Sequence, residues 1–373
     1  MKLCELNEIQ NNPYEYARNF KNAYKKKVVG YLCSYTPEEL IFAADALPFR
    51  LFGTRKNINR ANTYLQTYSC HFIRDILEAG LSENLDFLDG VVFPHTCDSI
   101  QRLSDIWRLH VFLQFHIDVV LPLKLNTDSA REYMIDVLMK FKTDLEKNLQ
   151  IEISEDKIRH ANTIYNQIRK SIKKIHTIKY ENPGLIKGSE FYTIMKTSMI
   201  IDRNILTGIL KNIIFDLEKR KEGSSSADTN CKKLVLAGGM CDPDIYHIIE
   251  EAGGTVVCDD FCTGSRYFDE LVNEDDDPIK SIAERYLKRT VCPAKYGNLR
   301  SRADNIIGTA KNNNADGVIF LLLKFCDPHA FDYPYLKQYL DKEEIPNTLI
   351  EIEDQFSVGE RLVTRLEAFI ETL

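Results

Sequence analysis

Two stretches of the chain repeat each other around a cysteine, and this repeat limits the folds that the chain can adopt. Asp89–Phe93 (DGVVF) leads to Cys97, and Asp316–Phe320 (DGVIF) leads to Cys326, with an aspartate directly after each cysteine. A short apolar, β-branched run is typical of a strand buried in a parallel sheet. Such a strand delivers the following residues to the carboxyl edge of its sheet, where open α/β sheets bind ligands. The repeat therefore predicts two similar halves that each present one thiol to a shared cleft.

The length of the chain and the alternation of its elements support two α/β halves. The chain has 373 residues, and a single core usually stops growing at roughly 250–300 residues. Strand and helix patterns alternate in each half, which predicts two similar Rossmann- or flavodoxin-like parallel sheets joined by a long helical segment. We predict an N-terminal α/β lobe over 1–127, a helical segment and linker over 128–228, and a C-terminal α/β lobe over 229–373.

The N-terminal half begins with a strand, helix, strand pattern. Lys27–Cys33 is the first predicted strand. Thr36 is the expected N-cap of a helix over Glu38–Ala46, with Glu39 as the capping-box acid. The last strand of this half is expected over Val119–Leu123.

Long charged helices fill the middle of the chain. One of them is expected over Ser189–Lys219. The basic run Arg169–Lys174 is interpreted as a solvated helix face, with a docking patch as the alternative. Glu222–Asp228 is rich in Gly and Ser, which predicts an exposed linker.

The C-terminal half restarts the α/β pattern. The predicted strands are Lys233–Gly239, Thr255–Asp260, Ile319–Leu323 and Asn347–Ile352. The predicted helices are Asp244–Ala252, Pro278–Leu287, Pro334–Lys342 and Gly359–Thr372. Their order matches the first half closely enough to suggest duplication.

Charge and hydropathy exclude several classes of partner. The net charge is -7 and the pI is about 5.7, so the chain as a whole lacks the basic field that nucleic acid or an anionic membrane surface requires. We find no apolar run near the roughly 18 residues of a membrane span, and no signal-peptide core near the start. A cytoplasmic protein is expected.

The ten cysteines are expected to be reduced thiols. A large chain with no export signal and no CxxC pair does not fit a disulfide framework. Pooled thiolates at a sheet edge favour a metal or iron–sulfur centre, whereas zinc is disfavoured because the usual close ligand spacing is missing. The sequence contains neither GxGxxG nor GxxxxGK[ST], so the chain is not expected to hydrolyse ATP itself.

Several segments together resemble one known family. They are Gly30–Leu40 (GYLCSYTPEEL), Cys70, His95–Asp98 (HTCD), Asp259–Phe268 (DDFCTGSRYF), Cys326 and Ile352–Ser357 (IEDQFS). The pattern is similar to the benzoyl-CoA reductase and 2-hydroxyacyl-CoA dehydratase family over nearly the whole chain. The length resembles that of the smaller cluster-binding subunits of this family.

The resemblance implies a [4Fe-4S] cluster held by three cysteines, which carry over to Cys70, Cys97 and Cys326. Three thiolates would leave one iron open to water or substrate. The implied activity is the dehydration of a 2-hydroxyacyl-CoA to an enoyl-CoA through a ketyl radical anion. The implied partners are a second homologous cluster subunit, an ATP-dependent iron–sulfur activator protein and the acyl-CoA substrate.

Three alternatives remain open at this point. The first is a benzoyl-CoA reductase subunit, which the sequence separates poorly from a dehydratase. Double-cubane cluster proteins of the same superfamily use additional cysteines, and the extra thiols Cys33, Cys241, Cys258, Cys262 and Cys292 keep that interpretation open. A non-catalytic electron-transfer or scaffold subunit is the third alternative.

Three further residues are candidates for the site. Ser34 and Glu38 follow the first strand, where a serine oxygen could occupy the open iron and a carboxylate could move a substrate proton. Helix capping is the simpler role for Glu38. Arg266 is a candidate ligand for the CoA phosphates, with an ion pair to Asp259 or Asp260 as the alternative.

Overall fold

The N-terminal half contains a four-stranded parallel sheet. The structure is a computed structural model that describes residues 3–54, 57–82, 84–182, 184–223, 231–240, 243–353 and 360–373. The strands are β1 (Val28–Tyr31), β2 (Leu47–Arg50), β3 (Gly90–Pro94) and β4 (Phe115–Val119). They lie in the order β2-β1-β3-β4, and each neighbouring pair is parallel.

The C-terminal half contains a second sheet with the same strand order. Its strands are β5 (Lys232–Gly238), β6 (Gly254–Asp260), β7 (Gly317–Leu323) and β8 (Asn347–Ile352). They are parallel throughout and lie in the order β6-β5-β7-β8. The repeated strands β3 and β7 occupy equivalent interior positions and are buried along their length. The prediction of two similar parallel-sheet lobes is therefore confirmed.

Helices connect the strands and fill the middle of the chain. In the first half they are α1 (Leu3–Asn11), α2 (Pro13–Tyr24), α3 (Glu38–Ala43), α4 (His71–Leu81) and α5 (Asp98–His110), with a short 3-10 turn at Ala61–Thr63. The middle holds α6 (Asp128–Leu149), α7 (Glu155–Glu181), α8 (Gly188–Ser198) and α9 (Arg203–Gly223). The second half holds α10 (Pro243–Glu251), α11 (Ser265–Phe268), α12 (Pro278–Lys288), α13 (Leu299–Asn312), α14 (Asp327–Lys342) and α15 (Glu360–Glu371).

The helical segment shares its core with the N-terminal sheet. Ile168 and Ile172 of α7 and Leu210 of α9 belong to the same apolar cluster as Val28 and Phe93. Tyr267 and Phe268 of the second half join this cluster too. All three parts of the chain therefore contribute side chains to one apolar cluster. The linker predicted over Glu222–Asp228 lies mostly outside the described residues.

Two predicted elements of the first half are wrong in detail. The helix predicted from Glu38 begins as expected, but Pro37 holds the N-cap position, and Glu39 pairs with Arg169 and does not close a capping box. The strand predicted over Val119–Leu123 lies earlier, as β4. That edge strand alternates buried and half-buried residues because His116 and Asp118 point to a polar side, and a search for apolar runs misses such a pattern.

Two helix boundaries also differ from the prediction. The helix expected over Ser189–Lys219 is broken into α8 and α9, because the Asp202 carboxylate accepts hydrogen bonds from the N–H groups of Asn204 and Ile205 and caps a new helix. The helix expected from Pro334 begins earlier at Asp327, with Pro328 in its first turn.

The basic run Arg169–Lys174 is only partly solvated. Lys170, Lys173 and Lys174 are exposed, as expected for a helix face. Arg169 is buried and pairs with Glu39 of α3. The prediction of a wholly solvated face is therefore wrong at Arg169, because its acidic partner is distant in sequence.

His176 of α7 makes stability depend on pH. Its ring packs against Phe191 and Phe268 at 5.4 and 5.8 Å between ring centroids. Burial lowers the pKa of His176 from 6.5 to about 4. Between pH 6.5 and about 4, His176 binds a proton in the unfolded chain but not in the folded chain. The folded state therefore loses stability as the pH falls through this range.

We expect His176→Leu to remove this loss. At each pH we compare the unfolding free energy of the variant with that of wild type. This difference should favour the variant by roughly 3 kcal/mol more at a pH near 4 than at pH 8. Urea unfolding at the two pH values measures this quantity. His247→Gln is the matched control, a change at a histidine that is 58% exposed. Equal pH dependence in wild type and His176→Leu would contradict the assignment.

Candidate functional site

The three cysteines singled out by the sequence occupy the same local position. Cys70, Cys97 and Cys326 each hold the N-cap position of a helix, namely α4, α5 and α14. Cys97 and Cys326 reach it directly after β3 and β7, whereas Cys70 follows a long loop after β2. Phe325 has a φ of 64°, a left-handed conformation that turns the chain into α14 just before Cys326. Corresponding strand-to-helix connections therefore deliver Cys97 and Cys326, and a separate loop delivers Cys70.

The three thiols lie near one another. Burial is the largest cause that raises the pKa of each thiol. A neighbouring thiol raises the pKa further in each case: Cys97 acts on Cys70, Cys326 acts on Cys97, and Cys70 acts on Cys326. Together these effects raise the pKa of Cys70 and of Cys97 to about 12. Each thiol would therefore stay protonated at neutral pH unless a bound cation stabilised its thiolate.

Helix geometry works in the opposite direction. The backbone N–H groups of Ile73, Ile100 and His329 each lie three residues after a cysteine and lower its pKa. Such N–H groups at a helix start favour a negative sulfur. The site therefore favours three thiolates once a positive centre is present.

This donor set fits a multinuclear centre better than a single ion. Within the described ranges, no group of three or more His, Cys, Asp or Glu side chains lies close enough together to hold one metal ion. In an iron–sulfur cube each thiolate binds a different iron, so the sulfurs surround a volume and need not converge on one point. Three neighbouring thiols of soft character from both halves of the chain meet that requirement.

A cleft of about 430 Å³ opens beside Cys97 and the start of α14. Its walls come from both halves: Thr96–Ser99 of the first, and Pro293–Tyr296 and the N-terminal turns of α14 of the second. The backbone joins the halves here, since the Tyr296 N–H donates to the Leu123 carbonyl at 2.8 Å and the Leu125 N–H donates to the Tyr296 carbonyl at 2.9 Å. A cleft lined by both halves is therefore present, and Cys97 lies in its wall.

Three further thiols lie in the same region. Those that act on the pKa of Cys97 or Cys326 are Cys33, Cys262 and Cys292. Cys258 lies elsewhere, beside Lys179 and Asp259, and Cys231 is exposed. Cys241 lies outside the described residues. The number of iron atoms per chain therefore has to distinguish one cube from a larger assembly.

Ser34 and Glu38 are both buried after β1. The Ser34 carbonyl accepts a hydrogen bond from Nη1 of Arg289 at 3.0 Å. The role of its hydroxyl as a ligand to an open iron stays a prediction.

The Glu38 carboxylate is held by three donors. Its Oε2 accepts from Nη2 of Arg203 at 2.7 Å, from the Tyr267 hydroxyl at 3.2 Å and from the Tyr165 hydroxyl at 3.3 Å. The side chain is 4% exposed. These contacts join the N-terminal lobe to the helical segment and to α11, and they favour a structural role. The proton-transfer role of Glu38 stays a prediction that no contact supports.

Arg266 is buried at the carboxyl edge of the second sheet. Its guanidinium donates to the Asp260 carbonyl at 2.7 Å and to the Gly238 carbonyl, and its Nε lies 3.4 Å from Oδ1 of Asp260. Asp260 also pairs with Arg302 at 3.0 Å. These contacts favour the ion-pair alternative over a CoA ligand.

Comparison with known proteins gives the family. The sequence model of the 2-hydroxyglutaryl-CoA dehydratase D-component family matches residues 33–373. The chain belongs to this family. It is 28% identical over 374 residues to the (R)-phenyllactyl-CoA dehydratase beta subunit of Clostridium sporogenes, covering 99% of this chain and 98% of the relative.

The chain is also similar to a second dehydratase subunit and to a reductase subunit. The chain is 24% identical over 376 residues to the beta subunit of the lactoyl-CoA dehydratase of Anaerotignum propionicum, covering 100% of this chain and 98% of the relative. It is 26% identical over 338 residues to one subunit of the benzoyl-CoA reductase of Thauera aromatica, covering 88% of this chain and 86% of the relative. All three relatives are subunits of larger enzymes. The resemblance found in the sequence is confirmed.

No helix in the described part of this D-component family member is both long and apolar enough to cross a bilayer.

Replacing Arg266 by lysine tests its role. We expect Arg266→Lys to lower the unfolding free energy by roughly 2–4 kcal/mol, because a lysine cannot reproduce the hydrogen bonds that the buried guanidinium donates to the Gly238 and Asp260 carbonyls beside the Asp260 carboxylate. Acyl-CoA affinity should be unchanged in the fraction that folds. Urea unfolding and equilibrium binding measure the two effects. A weakened affinity with unchanged stability would make Arg266 a CoA ligand instead.

Proposed function

We propose that the chain is the [4Fe-4S]-binding subunit of a 2-hydroxyacyl-CoA dehydratase, which removes water from a 2-hydroxyacyl-CoA to give an enoyl-CoA. The observation that carries the proposal is the set of three neighbouring thiols, Cys70, Cys97 and Cys326, at three helix starts between the lobes. Family membership and the dehydratase relatives support the reaction.

The chain's own residues have defined tasks in this proposal. Cys70, Cys97 and Cys326 hold the cluster through their sulfurs, and the helix N–H groups stabilise the thiolate form. The cluster, when bound, supplies one-electron reduction and an iron with an open position that acts as a Lewis acid. The cleft beside Cys97 and α14 admits the thioester end of the substrate and limits the access of water to it.

The proposal includes partners. A second homologous cluster subunit is expected, because the relatives are individual subunits of larger enzymes. An ATP-dependent iron–sulfur activator protein is expected to supply the electron, because the sequence carries no phosphate-binding GxxxxGK[ST] loop of its own. The described cysteines are free thiols, which fits a reducing compartment, so the complex is expected in the cytoplasm.

Turnover tests the proposed reaction. The chain, purified anaerobically with its partner subunit and supplied with reduced activator and ATP, should convert at least one member of a panel of (R)-2-hydroxyacyl-CoA thioesters to the enoyl-CoA. Mass spectrometry of the acyl-CoA products detects the loss of water. Intact iron content with no turnover of any member would contradict the dehydratase assignment.

A benzoyl-CoA reductase subunit is the second candidate. The observation in its favour is that the identity to the benzoyl-CoA reductase relative is 26%, close to the values for the dehydratases. The same assay with benzoyl-CoA decides between them, since ring reduction yields a dienoyl product without loss of water. If no acyl-CoA changes the electron paramagnetic resonance spectrum of the cluster, the chain is instead an electron-transfer subunit.

A further inference from the structure

Two buried cations in the region of the cysteines have no carboxylate partner. Arg50 ends β2 and is 1% exposed, and Lys295 lies in the cleft wall after α12 and is 6% exposed. Among the described residues, no Asp or Glu forms an ion pair with either side chain. Both therefore carry positive charge into the interior with no acidic side chain to offset it.

Arg50 is surrounded mainly by sulfur. Its Nη1 donates to Sδ of Met199 at 3.1 Å and to the Cys262 carbonyl at 3.2 Å. Its Nη2 lies 3.5 Å from Sγ of Cys262 and 3.9 Å from Sδ of Met240. Thioether and carbonyl groups are neutral, so they do not balance a guanidinium charge. Arg50 also acts electrostatically with the thiol of Cys33.

Lys295 approaches Cys97 from the other half of the chain. Its Nζ donates to the Leu121 carbonyl at 3.2 Å and to the His95 carbonyl at 3.4 Å. Its ammonium acts electrostatically with Cys33, Cys292 and Cys97. Cys97 is one of the three cysteines assigned to the cluster, so Lys295 lies within electrostatic range of that site.

Several other buried cations have acidic partners, whereas Arg285 and Arg289, both 3% exposed, donate to backbone carbonyls and form no ion pair among the described residues. Arg169 pairs with Glu39, and Arg203 pairs with Glu38. Arg302 pairs with both Asp260 and Asp332. The fold therefore supplies carboxylates to buried arginines at several positions, and leaves Arg50 and Lys295 without one next to the thiols.

An unpaired buried charge is expensive, and burial alone does not explain why two of them lie at one site. A negative group bound near the thiols would offset both charges. A cube held by three thiolates is such a group, because its thiolate charges exceed the positive charge of its iron–sulfur core, and each added electron makes the excess larger.

We propose that Arg50 and Lys295 offset the negative charge of the cysteine-bound cluster and thereby favour its reduced form. This inference rests on the proposed function. The two residues are positioning residues that act on the one-electron uptake by their charge. For unit charges roughly 10 Å apart at an effective dielectric constant of about 20, the expected effect is about tenfold in the ratio of reduced to oxidised cluster.

The test is a redox titration of the full chain with its cluster reconstituted from ferrous iron and sulfide. Arg50→Met and Lys295→Met remove the charge with little change in length. Each should keep wild-type iron content and lower the ratio of reduced to oxidised cluster about tenfold at a fixed potential, a shift of about 59 mV for one electron. The double variant should lower it about a hundredfold. Electron paramagnetic resonance of the reduced cluster gives the ratio.

Two controls separate charge from shape and from distance. Arg50→Lys keeps the charge and should keep a wild-type potential. Lys324→Met removes a cation two residues before Cys326, but Lys324 is 44% exposed and pairs with Glu353, so water screens it and the potential should not change. In the cluster-free protein, Arg50→Met should melt no lower than wild type, because no ion pair is lost.

Several outcomes would overturn the inference. It fails if both methionine variants keep their iron and a wild-type potential, or if Lys324→Met shifts the potential as much as they do. If the methionine variants lose iron while Arg50→Lys keeps it, charge is needed to hold the cluster and the inference stands; if Arg50→Lys loses it too, the inference falls. A wild-type chain that binds no iron overturns the proposed function itself, whereas unchanged potentials with normal iron leave that function intact.

Discussion

Replacing Cys97 by alanine is expected to remove most of the iron from the purified chain. The cleft offers three neighbouring thiols at helix starts, and the loss of one soft ligand leaves an exposed iron that the remaining two cannot retain. Cys70→Ala and Cys326→Ala should have the same effect. Iron and sulfide analysis after anaerobic reconstitution measures it, and turnover should fall in parallel, by at least about a hundredfold.

The matched control for this experiment is Cys231→Ala. Cys231 is exposed and lies at the start of the second half, so its replacement should leave the iron content unchanged. Cys33→Ala, Cys262→Ala and Cys292→Ala probe the neighbouring thiols. Full iron content in Cys97→Ala, together with loss of iron in one of these three, would show that the ligand set has been assigned to the wrong thiols.

Arg203→Met is expected to be the most destabilising change outside the cysteine site. Arg203 is fully buried and donates to Oε2 of Glu38 at 2.7 Å and to the Tyr165 hydroxyl at 3.0 Å. Without it the buried Glu38 carboxylate loses its only charged partner among the described residues. Removing one partner of such a pair costs roughly 3–5 kcal/mol, which urea unfolding of the cluster-free protein measures.

The control for this prediction is Lys221→Met, which breaks an exposed ion pair with Glu181. Exposed pairs contribute about 0–1 kcal/mol, so the two variants should differ clearly. A loss below about 1 kcal/mol in Arg203→Met would show that the Glu38 network does not hold the lobes together. Glu38→Gln with normal stability and normal iron but no turnover would restore the proton-transfer role of Glu38.

The strand framework of the fold was predictable because its signals are local. The apolar runs at β3 and β7 are continuous, as expected for strands buried on both faces. The same search missed β4, because its His116 and Asp118 face Ser104 on the polar side of an edge strand. The His116 Nε2 atom lies 2.8 Å from the Ser104 hydroxyl oxygen. Apolar runs also located the edge strands β6 and β8, and they failed at β4, where polar side chains alternate with apolar ones.

The polar interior was much less predictable because its partners are far apart in sequence. Arg169 looks like one residue of a basic helix face until the fold brings Glu39 to it. Glu38 looks like a cap or a base until Arg203 and two tyrosines enclose it. Asp202 is the exception, since Asp before a helix is a local capping signal that could have predicted the break between α8 and α9.

The candidate site was only partly predictable from the sequence. The repeat around Cys97 and Cys326 is a local pattern that places both thiols at sheet edges, and the structure does so. Cys70 follows no strand directly, and only the family resemblance selected it. The unpaired charges of Arg50 and Lys295 could not be foreseen, because the absence of a nearby carboxylate is a property of the folded chain.

The number of iron atoms bound per chain tests the central claim most directly. The wild-type chain, reconstituted anaerobically and freed of loosely bound metal, should contain about four iron and about four sulfide ions, as one cube requires. About eight iron atoms per chain would contradict the claim and indicate a double-cubane assembly that also uses Cys33, Cys262 or Cys292. A chain that retains no iron would contradict it outright.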